Sequence, residues 1–141
     1  METLGSLCDK LSIIKLKQYH TIDSQKLESL SYQDSQIQNE INEYLDDAIW
    51  GTIHIDRLVY EPNKVHDGTI NKLIPLVSIA GSISALASTN CDIWHHQEKI
   101  YNFSKLPHDQ KDVVIHEIAV LNLQRNDCIH QIDKLFKEMV V

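Results

Sequence analysis

A chain of 141 residues, 43% hydrophobic and 23% charged, is long enough to bury one well-formed core, so a single helical domain over residues 1–141 is expected. Its formal charge of -7 excludes a binder of nucleic-acid backbones, which needs clustered Lys and Arg, and it has no run of about 18 apolar residues to span a membrane. With only four Gly and three Pro to interrupt it, long helices are favoured over a turn-rich β architecture.

The first helix is marked by Leu4, Leu7, Cys8, Leu11 and Ile14, the spacing of one helix face, and is expected to run to about Ile22. Asp9, Lys10, Lys15 and Lys17 interrupt its apolar residues, which rules out a signal-peptide core. Ser24 can cap a second helix, in which Leu27, Leu30, Asp34, Ile37, Ile41, Tyr44 and Ala48 recur at three- and four-residue steps until Gly51. Residues 52–68 are rich in β-branched side chains and in the turn chemistry of Glu61-Pro62-Asn63 and Asp67-Gly68, which predicts an extended connection with room for a short strand.

A third helix is expected to start between Thr69 and Pro75. Its seam is Leu76, Ile79, Ile83, Leu86, Asn90, Ile93 and Gln97, and Gly81 with neighbouring Ser and Ala residues would admit a close neighbour. Pro107, Asp109 and Asp112 open a fourth helix whose seam is Val114, Ile118, Leu121, Arg125, Cys128, Ile132, Leu135 and Met139. Cys8, Cys91 and Cys128 have neither zinc-knuckle nor redox-pair spacing and read as small buried hydrophobes, consistent with a reducing, cytoplasmic compartment.

The polar residues of the chain also repeat. Tyr19-His20-x-x-Asp23 is echoed by Trp94-His95-x-x-Glu98, and Gln38-Asn39-Glu40 with Asp46 is echoed by Arg125-Asn126-Asp127 with Asp133. Superposing His20 on His95 keeps the apolar face in register, placing Leu4 on Ile79, Cys8 on Ile83 and Leu11 on Leu86. The predicted fold is therefore all-α: a four-helix bundle built from two pseudo-repeated hairpins, residues 2–50 and 69–141, joined by an extended crossover at 51–68.

Residues three apart on a helix share a face, so His95 with Glu98, and His20 with Asp23, can converge on one point. That is metal-ligand spacing; Asp127 or Asp133 on the fourth helix and Glu40 or Asp46 on the second could supply further acids, and the expected divalent-metal set is His95, Glu98 and Asp127. The alternative is that each His is simply hydrogen-bonded to its neighbouring acid. Arg125 sits on the predicted core seam beside Asn126 and Asp127, with Asn122 one turn earlier, and a buried guanidinium needs a partner, for which Glu98 or Asp34 is expected. It either offers its planar fork to a phosphate or carboxylate ligand or forms a structural ion pair. There is no Gly-rich phosphate loop, nucleophile elbow, His-Glu-x-x-His or Cys-x-x-Cys.

Asn90-Cys91-Asp92-Ile93-Trp94-His95-His96-Gln97-Glu98-Lys99 is similar to an N-x-x-[LI]-W-H-x-x-[DE]-K element, and Leu121-Asn122-Leu123-Gln124-Arg125-Asn126-Asp127-Cys128-Ile129 to an L-N-x-x-R-N-D-x-[IV] element. Together with Asp9-Lys10-Leu11-Ser12-Ile13-Ile14 and the following Tyr19-His20, these segments resemble a bacterial family, the domain of unknown function numbered four-two-five-four. The resemblance covers about residues 7 to 23 and 86 to 133. It implies an all-helical fold and a setting beside surface-glycan assembly, with no assigned activity. The matching residues Asp9, Lys10, His20, His95, Glu98, Asn122, Arg125, Asn126 and Asp127 join Asp23 as candidate ligand-binding residues.

Two functions stay open on the sequence. In the first, the bundle binds a divalent metal or a phosphorylated sugar or nucleotide ligand in a surface-glycan pathway, with Arg125 and Lys10 meeting phosphate charge. In the second, it is a non-catalytic interaction module with a structural polar seam, whose partner is a second copy or a glycan-pathway protein. A binding site requires His95, Glu98, Arg125 and Asp127 to line one open cleft; a structural network requires them to be closed on one another.

Overall fold

The computed structural model describes residues 2–61 and 78–141, and the protein is all-α. Four helices carry the fold: α1 (Leu4–His20), α2 (Ser24–Ile49), α3 (Ile79–Tyr101) and α4 (His108–Val140). The hairpins α1–α2 and α3–α4 pack within themselves, and α1 also lies against both α3 and α4. Among the described residues, no helix is long and apolar enough to cross a membrane.

Local chemistry sets the helix ends. The Thr3 side chain accepts from the Ser6 amide while Ser6 answers the Thr3 amide, a reciprocal box that satisfies donors the helix itself leaves open. α1 stops at His20 because Thr21 is extended, and Asp23 then caps α2 by accepting from the Gln25 and Lys26 amides. Ser24, expected as that cap, is instead the first helical residue, since the Asp23 carboxylate takes the role.

At its far end α2 closes on Gly51, whose φ of 77° is the left-handed conformation that favours glycine. Ser78 caps α3 through the Gly81 amide, and Pro107 precedes α4 as expected, with Asp109 in its first turn. The predicted start of α3 between Thr69 and Pro75, and the turns expected at Pro62–Asn63 and Asp67–Gly68, lie outside the described residues.

The connection after α2 differs from the expected extended segment over its described part: Ile55–Arg57 form one 3₁₀ turn. That turn drives Leu58, only 1% exposed, into a core shared with Leu4 and Leu7 of α1, Tyr44 and Ala48 of α2, Leu86 of α3, and Cys128, Ile132 and Phe136 of α4. Ile53, Ile55 and Val59 pack against the same cluster, so the β-branched residues serve burial rather than a strand.

Two predicted seams rotate in the fold. On α3 the buried face is Ser82, Leu86, Thr89, Asn90 and Ile93, which leaves Ile83 and Gln97 exposed. On α4 the last turns bury Phe136 and leave Met139 exposed. The close approach assigned to Gly81 belongs instead to Gly5. A methyl at Gly81 would meet only its own cap, the Ser78 hydroxyl, whereas one at Gly5 would collide with the Ile129 carbonyl oxygen of α4.

Candidate functional site: a polar junction of three helices

The polar residues of the seam gather where α1 crosses α3 and α4. Asp9 on α1, buried to 5% exposure, receives Arg125 of α4 through both carboxylate oxygens: Nε reaches Oδ1 at 2.8 Å, and the second guanidinium nitrogen closes on Oδ2. Asn90 of α3 donates its side-chain amide to the same Oδ1 at 2.9 Å. One carboxylate therefore ties three helices, with a bidentate fork from one side and an amide from the other. Neither Glu98 nor Asp34 pairs with Arg125 as expected. Asp34, the acid of the α2 seam, is met by Lys15 at 2.6 Å and by Gln38 and Gln18, and these contacts hold its carboxyl below the ordinary range, Lys15 contributing most.

One turn beyond the N-terminal side of this junction, α4 supplies a second buried acid. Asp133 accepts the Gly5 amide at 2.7 Å, so the last helix satisfies a free donor of the first. Burial pushes its carboxyl up to about 6, against the lowering effects of the Gly5 amide, the Thr3 side chain and His130. The neighbouring Cys8 thiol is pushed up to about 11 by burial, with Asp133 and Asp9 adding to it. That keeps it a protonated, inert packing group, as the sequence reading of the cysteines expects.

His20, His95 and Glu98 form a separate aromatic group between the end of α1 and α3. The His20 ring stacks on Trp94 with centroids 4.8 Å apart and 11° between planes, and His95 meets His20 edge-on at 6.4 Å. Trp94 Nε1 donates to Glu98 at 2.9 Å, and the Cys91 sulfur lies 3.7 Å from His95 Nε2. The repeated aromatic-His elements do meet, but as a stack rather than as ligands. Asp23 takes no part in a helical pair with His20, because α1 has ended before it and its carboxylate is spent on the α2 cap.

The remaining candidates lie apart. Lys10 pairs with Glu2 at 2.6 Å in an exposed position. Asn122 is half-buried and Asn126 exposed on α4, and Asp127 is buried beside Cys128. Among the described residues, no group of three or more His, Cys, Asp or Glu side chains could hold a metal ion, so His95, Glu98 and Asp127 do not converge as the predicted set.

His96, which as the neighbour of His95 points about 100° away from it on the helix, and His116, on a polar face, are not among the expected site residues. His96 Nε2 meets Glu117 of α4 at 2.9 Å, and together with Asp92 and His116 they line a groove of about 430 Å³ between α3 and α4. An apolar trough of about 350 Å³ runs along α1 and α3, lined by residues such as Leu11, Leu16, Tyr19, Ile83 and Ala87. The signal for it was in plain sight, since Ile83 and Ala87 stand on the predicted apolar and small-residue faces of α3. Comparison with protein-family models, with curated proteins and with solved structures finds no match to this chain.

Proposed function

We propose that this protein is a non-catalytic helical interaction module in which the buried polar seam is scaffold. The observation that carries the reading is the closure of the Arg125 fork on Asp9, with Asn90 completing the same carboxylate. A guanidinium that recognises phosphate must present its fork to the ligand, and here the edge formed by Nε and one terminal nitrogen is turned to a carboxylate of another helix. The aromatic group of His20, Trp94 and His95, with Glu98, stands apart from that junction, so His95 and Glu98 do not share a cleft with Arg125.

The test is a thermal-shift screen of chelator-treated protein against manganese, iron(II), zinc and magnesium, each with and without nucleotide sugars. A ligand present at one hundred times its Kd adds about 2.7 kcal/mol to the folded state. In a domain of this size that raises Tm by roughly 8 °C. The expected result is a flat screen. A selective rise of that size, abolished by Glu98→Gln with folding intact, would overturn the reading in favour of a bound metal or phosphorylated ligand.

A further inference from the structure

We draw no further inference here: the strongest candidate, the groove between α3 and α4 lined by Asp92, His96, His116 and Glu117, belongs among the described residues to no set that could hold a metal ion, and nothing in the structure shows what else would occupy it.

Discussion

Arg125→Met is the most informative substitution in this fold. It removes the fork but keeps much of the side-chain volume, leaving the Asp9 carboxylate buried with only the Asn90 amide. Breaking a buried pair from one side costs about 3–5 kcal/mol, and because the Arg125 side chain is 31% exposed, solvent screening lowers the expected loss to about 2–3 kcal/mol. At roughly 3–4 °C per kcal/mol in a domain of this size, Tm falls by about 6–12 °C.

The decisive step is the cycle with Asp9→Leu. The single Asp9→Leu variant strands the guanidinium and the Asn90 amide, whereas the double variant removes both charges and returns most of the loss. Urea unfolding of the four proteins measures the coupling, expected at about 2 kcal/mol in favour of the native pair. Additive losses, or a single-variant cost below about 0.5 kcal/mol, would refute the claim that this junction holds α1, α3 and α4 together.

Two further outcomes follow from the same end of the fold. Because the folded-state pKa of Asp133 is raised, the native protein holds that proton over a window in which the unfolded chain has lost it. Its contribution is therefore full below about pH 4, falls as pH rises to about 6, and is flat above. Asp133→Asn, which keeps an acceptor for the Gly5 amide, should flatten the change in unfolding free energy over that interval by on the order of 2 kcal/mol, and parallel profiles for the two proteins would disprove the assignment. Gly5→Ala should cost about 1–3 kcal/mol in urea unfolding, since the added methyl meets the Ile129 carbonyl oxygen, a backbone atom that cannot swing aside; a neutral result would show that the two helices separate freely.

The helices were legible because their signals are local. Pro107 with Asp109, the Gly51 stop and the heptad of α2 each act within a turn or two of where they stand. That Arg125 needed a carboxylate was legible too, from its place among apolar residues. Which carboxylate was not: Asp9 lies 116 positions away in a helix whose other charges face solvent, and spacing within one helix says nothing about which helix crosses it.

The His20 and Asp23 pairing failed for a local reason. Three-residue spacing brings side chains together only if the helix continues, and Thr21 leaves it. Gly5 was overlooked because a glycine inside a helix is read as a weakness, whereas here it marks where one backbone rests on another.

The linkage of Gly5 to Asp133, 128 positions apart, also sets a clock on synthesis. A ribosome adding about 5–20 residues per second spends roughly 6–25 s between the two. Once α2 is complete at Ile49, the greater part of that interval is still to run before the arginine that neutralises Asp9 and the acid that satisfies the first helix are made. The three-helix junction therefore closes only after residues 125–133 have arrived, whatever the speed of helix formation in the hairpin before them.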